Sequence, residues 1–192
     1  MINPSQVDAV LVTKGDVDLQ PIKNTLVSFK KIIICDNSKM LNMGPFGQFL
    51  LASMAYVSDV VYFQDDDCLT NPETIIQAWE PGKIVCNMGQ QGHAANYINR
   101  IDKLMGFGSC FERSLIKPTF ERYWRKYPID RVTWREPGRI FTAMNHDKLK
   151  VVEVAFRNLP WAEGYDRLYR QPEHVEMGRE AICRVREVLN EH

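Results

Sequence analysis

The chain has 192 residues, 45% of them hydrophobic, with 24 basic and 24 acidic side chains and zero formal net charge. That composition suits one packed domain over 1–192, excludes a disordered chain, and gives no general basic footprint for nucleic acid. No apolar run approaches the roughly 20 residues that cross a bilayer, and Met1-Ile2-Asn3-Pro4 reads as no signal segment, so we expect no membrane partner and a cytoplasmic protein.

In chain order, Ala9-Val10-Leu11-Val12 reads as a buried strand punctuated by Gly15 and Asp16. Pro21 opens a short helix over 21–29, since proline fits the first helical turn. Ile32-Ile33-Ile34-Cys35 is a second strand, stopped by the turn formers Asp36-Asn37-Ser38. Phe46, Phe49, Leu50, Met54 and Val57 recur at helical spacing and predict a helix with one apolar face. Val60-Val61-Tyr62-Phe63 is a third strand and runs straight into Asp65-Asp66-Asp67. Asn71-Pro72-Glu73 has the chemistry of a helix start, and Lys83-Ile84-Val85-Cys86 makes a fourth strand. The second half is less regular. A strand is expected at 107–111, a helix over 118–127 with a core face of Phe120, Tyr123, Trp124 and Tyr127, a short helix over 140–144 and a strand over 149–156. A terminal helix over 173–189 carries many i, i+4 charges and is expected to be a solvated face and nothing more. The cysteines Cys35, Cys68, Cys86, Cys110 and Cys183 are odd in number and include no C-x-x-C pair, which argues against a disulfide frame or a zinc knuckle.

Strands alternating with helices in this way predict an α/β fold, a mostly parallel sheet with helices on both faces. Ligands in such sheets bind beyond the carboxyl ends of the strands. The first three strands end in Thr13-Lys14-Gly15, Asp36-Asn37-Ser38 and Asp65-Asp66-Asp67, so three polar clusters converge on one edge. Three adjacent carboxylates raise one another's pKa and destabilise a fold. A divalent cation removes that cost, because carboxylate oxygens are natural ligands of Mg²⁺ and Mn²⁺. On an extended backbone Asp65 and Asp67 point the same way and share one ion, while Asp66 faces elsewhere. The competing reading of the run is an exposed acidic turn that caps the next helix.

These residues resemble the nucleotide-binding half of GT-A-fold glycosyltransferases, close to the family-2-like group. Val10-Leu11-Val12-Thr13 is similar to their first strand and its donor-binding end, with Lys14 following. Ile34-Cys35-Asp36-Asn37-Ser38 resembles their second strand, whose acid meets the nucleoside base; Asp36 would take that role and favour uracil. Asn42-Met43-Gly44 sits where the group has an Asn-x-Gly turn, and Phe63-Gln64-Asp65-Asp66-Asp67 resembles the metal-binding DxD motif. The resemblance implies a metal-dependent transferase of the hexosyl or N-acetylhexosaminyl type, using a nucleotide-sugar donor such as a UDP-sugar. It covers about 1–115, the nucleotide-sugar-binding half, and leaves 116–192 as an acceptor side with a C-terminal lid and helix.

Beyond that point, Trp134-Arg135-Glu136-Pro137-Gly138-Arg139 stands where such enzymes carry a later acidic element, with a glycine in place of the expected second acid. Glu136 is the resulting candidate base. The resemblance also implies a late histidine on the metal, for which Tyr169-Arg170-Gln171-Pro172-Glu173-His174 supplies His174, with Arg170 as a forked donor to the diphosphate. A neutral imidazole ligand favours Mn²⁺ over Mg²⁺. Residues 165–174 would form a lid hinged at Gly164. His93 and His146 are further candidate bases. Trp134 and Trp161 read either as sugar-stacking platforms or as core.

Two rivals remain. A sugar-nucleotide nucleotidyltransferase would show a glycine-rich phosphate loop, and Thr13-Lys14-Gly15-Asp16 is too poor in glycine. A non-catalytic sugar-nucleotide or Ca²⁺ module is the other; its Ca²⁺ form is broken by Leu69 and Asn71 after the aspartates. The acceptor stays open between a glycan, a protein side chain and a modified DNA base. Small enzymes of this look occur in bacteriophage modification systems as well as in bacterial glycan synthesis. Arg167, Tyr169 and Arg170 interleave basic and aromatic groups as a nucleic-acid strand would need, against the zero net charge.

Overall fold

The computed structural model describes residues 2–39, 41–88, 100–163 and 171–191. Its strands are β1 (Asp8–Thr13), β2 (Lys31–Asp36), β3 (Val60–Asp65), β4 (Cys68–Thr70), β5 (Ile84–Asn87), β6 (Ser109–Glu112), β7 (Leu149–Val152) and β8 (Phe156–Asn158). The helices are α1 (Gln20–Thr25), α2 (Phe46–Ala52), α3 (Pro72–Gln77), α4 (Ile116–Trp124), α5 (Arg131–Arg135), α6 (Pro137–Met144) and α7 (His174–Leu189).

Six strands form one sheet in the order β2-β1-β3-β6-β5-β7, and β4 pairs with β8 in a small second sheet. β1 runs parallel to both neighbours, with Thr13 opposite Asp36 and Val12 opposite Asp65. That register brings the polar ends of β1, β2 and β3 to one edge, as their sequence predicts. β6 is the single departure from parallel order within this sheet. It inserts antiparallel between β3 and β5, with Ser109 opposite Phe63 and also opposite Cys86. Its reversed direction starts it at the carboxyl end of β3, so the segment just before it crosses the same edge as the aspartates. The span expected as one strand over 149–156 divides into β7 and β8, which belong to different sheets.

Every residue of β1 is buried, and successive side chains go to opposite faces. Val10 joins Phe63 and Phe111 on one face, packed by Phe46 and Phe49 of α2 and Phe141 of α6. Ala9, Leu11 and Tyr62 lie on the other, covered by Ile22 of α1 and by Ile75 and Ile76 of α3. Phe63 meets Phe49 and Phe111 edge-on at centroid distances of 5.0 and 4.8 Å. Such pairs add roughly 0.5–1.5 kcal/mol each beyond their area.

Helix ends follow their sequence chemistry. Asn71 Oδ1 accepts from Thr74 N at 3.3 Å to cap α3, and Asp130 Oδ1 accepts from Val132 N at 3.0 Å to cap α5. Asp130 also takes Arg184 Nη1 of α7 at 2.7 Å. The terminal helix is therefore more than a solvated face. α7 buries Met177, Gly178, Ala181, Val185 and Val188. No helix among the described residues is long and apolar enough to cross a membrane. The five cysteines are free, four of them buried and Cys183 exposed.

Candidate active site

A cavity of about 1100 Å³ opens at the carboxyl ends of β1 and β3. Its wall includes Thr13, Lys14, Asn42, Asp65, Asp66, Asp67, Glu136 and His174, so the structure gathers most of the sequence-expected site in one place.

On the first side, Gly15 N donates to Thr13 Oγ1 at 3.0 Å. Gly15 has φ +84°, and a Cβ there would lie 2.6 Å from Asp36 Oδ1, so glycine lets the ends of β1 and β2 close together. Asp36 does not reach the cavity wall; Asn37 does. The Asp36 carboxylate instead accepts from Ser38 Oγ at 2.6 Å and Ser38 N at 3.0 Å, and pairs with Lys39 Nζ at 3.0 Å. The Ser38 and then the Lys39 hydrogen bonds hold its pKa below the ordinary carboxylate value. Asn37 Oδ1 accepts from Met43 N at 3.2 Å, and Asn42 Oδ1 accepts from Gly44 N at 3.0 Å, which builds the loop that carries Asn42 to the wall.

The acidic side is a turn, not the extended run that alternation requires. β3 ends at Asp65, β4 begins at Cys68, and Asp66 and Asp67 make the corner between them. Buried Gln64 holds the corner from beneath, donating Nε2 to Cys68 O at 2.8 Å while Oε1 accepts from Tyr62 OH at 2.8 Å. Trp161 Nε1 donates to Asp66 O at 2.7 Å, and Leu159 N donates to Asp67 O at 2.8 Å. Asp65 N donates to Gly106 O at 2.9 Å, and Gly106 lies directly against the Asp65 carboxylate. Burial, then the carboxylates of Asp67, Asp65 and Asp66, pushes the Cys68 thiol well up, so it is an inert neighbour of the acids.

The third side joins the segment before β6 to α5, α6 and the start of α7. His174 Nδ1 lies 2.9 Å from Glu136 Oε1. Glu136 Oε2 accepts from Arg139 Nε at 2.8 Å, and Arg139 Nη1 donates to Asp102 Oδ2 at 2.9 Å. Arg100 grips Asp102 with two bonds of 2.8 Å. Lys103 borders the cavity, and its Nζ donates to Arg100 O at 2.6 Å. Burial lowers its pKa, with Asp102 acting in the opposite direction. Arg135 holds Gln171 Oε1, and Arg131 and Arg135 both reach Glu173.

Arg170, His93, Arg167, Tyr169 and the lid residues 164–170 lie outside the described residues. His146 is exposed, follows α6 and is not on the cavity wall. Trp134 borders the cavity, whereas Trp161 acts through its indole N–H on the aspartate corner. Sequence reasoning missed Gly106, Asp102 and Lys103, and took in Arg139 only as the last residue of the Trp134-to-Arg139 run without giving it a role. Gly106 left a trace as one of two glycines in Met105-Gly106-Phe107-Gly108.

Hard carboxylate oxygens facing an open cavity fit Mg²⁺ or Mn²⁺. Among the described residues no three His, Cys, Asp or Glu side chains converge on one point to hold a metal. These ions are commonly held by one or two carboxylates completed by water and substrate phosphate, and a protein cage is not required.

No protein-family model matches the sequence, and no curated protein matches it. The fold is that of the GT-A nucleotide-sugar glycosyltransferases. Solved structures it is similar to include complexes of glucosyl-3-phosphoglycerate synthase from Mycobacterium tuberculosis. One, with Mg²⁺ and uridine diphosphate, aligns at TM-score 0.52 and 12% identity over 96% of this chain and 79% of that one. Another, with Mn²⁺, UDP-glucose and phosphoglyceric acid, aligns at TM-score 0.51 and 13% identity over 96% and 79%. A third, with Mn²⁺, uridine diphosphate and glucosyl-3-phosphoglycerate, aligns at 0.51 and 12% over 96% and 80%. At these identities the likeness is one of fold.

Proposed function

We propose that the protein is a metal-dependent glycosyltransferase that moves a sugar from a UDP-sugar to an acceptor in the cytoplasm. The observation that carries this reading is the Asp65, Asp66 and Asp67 corner, set at the carboxyl end of β3 on an approximately 1100 Å³ cavity. The fold neighbours that hold UDP with Mg²⁺ or Mn²⁺ support the same choice of donor and ion.

In this reading Thr13, Lys14 and Asn42 form the donor side, with Arg170 as a further partner of the diphosphate. Asp36 serves the donor by holding the 36–39 turn, since its carboxylate is turned into that turn. Asp65 and Asp67 would hold the cation, with water and diphosphate oxygens completing its shell, and Asp66 would line the diphosphate side. The expected nitrogen ligand, His174, borders the same cavity without converging with the two acids on one point. The ion, when bound, acts as a Lewis acid and neutralises the leaving nucleotide. Trp161, Leu159 and Gly106 fix the acids from behind and keep them aimed into the cavity. The acceptor enters between Trp134 and the segment before β6, which leaves glycan, protein and modified DNA as acceptor classes.

Hydrolysis of UDP-glucose with added Mn²⁺ tests the reading. Slow metal-dependent release of UDP is expected. Metal-dependent binding of UDP-glucose with no turnover would assign the chain to the non-catalytic binders instead.

A further inference from the structure

We propose that the edge strand β2 pairs with β2 of a second copy of this chain, antiparallel across a two-fold axis at Ile33, joining the two main sheets into one. This pairing is independent of the metal-dependent reading above.

Among the described residues β2 has one neighbour, β1, and ends the six-stranded sheet. An edge strand offers a row of unused N–H and C=O groups, and monomeric proteins blunt it with a short strand, a bulge, a proline or a projecting charge. β2 has none of these. Its six residues equal the longest strands of the sheet. They pair with β1 without a break from Lys31 to Asp36. The segment Lys31-Ile32-Ile33-Ile34-Cys35-Asp36 contains no proline and three adjacent isoleucines. The charges at its ends are drawn back into their own chain. Lys30 Nζ donates to Ser58 Oγ at 3.2 Å and Lys31 Nζ to Tyr56 O at 2.8 Å, while Ser38 and Lys39 hold the Asp36 carboxylate. The opposite edge differs: β7 has four residues, and its Lys150 reaches out to Glu80.

Asn37 N donates to Thr13 O at 3.0 Å just past the end of β2. Backbone groups of successive residues turn to opposite sides of a strand, so Ile33 and Cys35 also face β1, and Ile32 and Ile34 turn outward. Around a two-fold axis at Ile33, the outward groups of Ile32 bond those of the second copy's Ile34. Ile33 then lies beside its own copy, and Lys30 falls opposite Asp36 on each side of the axis. An axis at Ile34 would set Ile32 against Asp36, so the side chains select Ile33. Apolar and opposite-charge cross-strand pairs both stabilise such a ladder.

The exposed apolar surface is gathered around the same edge. Seven large hydrophobic side chains are exposed among the described residues, and four of them flank β2. Val27, 80% exposed, precedes it, and Leu41, 71% exposed, follows it. Met54 and Tyr56 belong to the segment whose Tyr56 carbonyl holds Lys31. Antiparallel pairing brings the start of one β2, with Val27 and Tyr56, beside the end of the other, which runs on to Leu41. A two-fold contact uses one patch twice and closes at two copies. That end of β2 also leads to Asn37 and Asn42 on the cavity wall, so each copy would brace the donor side of the other.

Sedimentation velocity of the whole chain over a concentration series tests the pairing. Wild type is expected to pass from a 22.3 kDa monomer to a species of twice that mass. Ile34→Pro removes an outward N–H and leaves the bonds to β1 in place. It should stay monomeric at every concentration while keeping the wild-type circular dichroism. Ile33→Lys sets two like charges across the axis and should also stay monomeric; it decides alone if the proline variant does not fold. Val151→Lys, on the β7 edge, should dimerise as wild type does. A wild type that remains monomeric, or that assembles beyond the dimer, overturns the proposal. So does a dimer that survives in either folded β2 variant, or one that Val151→Lys abolishes.

Discussion

A Cβ added at Gly106 would lie 2.1 Å from Asp65 Oδ2 and 2.6 Å from Asp65 Cγ, so this carboxylate occupies the space that any other residue would need. The contact is with the mobile end of a side chain, and Asp65 N stays bonded to Gly106 O at 2.9 Å. Gly106→Ala should therefore displace the carboxylate while the backbone holds. We expect a stability loss of about 1–3 kcal/mol, the usual cost of overpacking, measured by urea denaturation. The Mn²⁺ needed for UDP binding should rise at least about tenfold, as expected for disturbed ligand support. A variant with wild-type Mn²⁺ dependence would remove Asp65 from the metal shell.

Gly178 carries a second test of close packing. A Cβ there would sit 3.1 Å from Arg139 Nε and 3.2 Å from Arg139 Cζ, and Arg139 is held between Glu136 and Asp102. In a free helix Gly→Ala stabilises by about 1 kcal/mol. Here the arginine has nowhere to retreat, so Gly178→Ala should destabilise on chemical denaturation. A stabilised variant would show that Arg139 yields.

The acid limb of stability should carry the signature of Asp130. Burial raises its pKa, but the Arg184 hydrogen bond and the caps on Thr133 and Val132 outweigh it, and the folded value is lowered. A depressed folded pKa contributes stability that is complete above the unfolded value, near about 3.9, and lost as pH falls through the folded value. Asp130→Asn keeps the helix cap but loses the Arg184 pair. Its stability should fall less steeply than wild type from about pH 4 downward, read by denaturation at a series of pH values. Parallel curves would contradict this.

The parts of this molecule that the sequence exposes are local in chain order. Hydrophobic runs place β1, β2, β3 and β5, and the polar residues after β1 to β3 mark the site edge, because each signal sits within a few adjacent residues. What the sequence hides is set by distant pairs. Trp161 reaches Asp66 O across 95 residues, and Arg139 reaches Asp102 across 37. β6 reads as an ordinary apolar strand, and nothing in it specifies the antiparallel insertion that carries Gly106 to Asp65. The aspartates read as an extended run since they follow a strand; the corner forms because Gln64 is buried and ties back to Cys68 O. Asp36 has the residue type for a base contact, yet Ser38 and Lys39 beside it claim both its oxygens. α7 looks solvated because its apolar positions are spread among many charges, and the packed face appears only once α6 is in place.

If the acidic corner binds UDP through a divalent cation, thermal denaturation of wild type and Asp67→Asn with UDP, with and without Mn²⁺, will separate the two proteins. A ligand that binds only the folded state raises the midpoint in proportion to the logarithm of its excess over Kd. We expect UDP to raise the wild-type midpoint only when Mn²⁺ is present. Asp67→Asn should lose that rise while its ligand-free midpoint stays level or increases, since a charge is removed from beside two other carboxylates. A variant that responds to UDP and Mn²⁺ as wild type does would contradict the account.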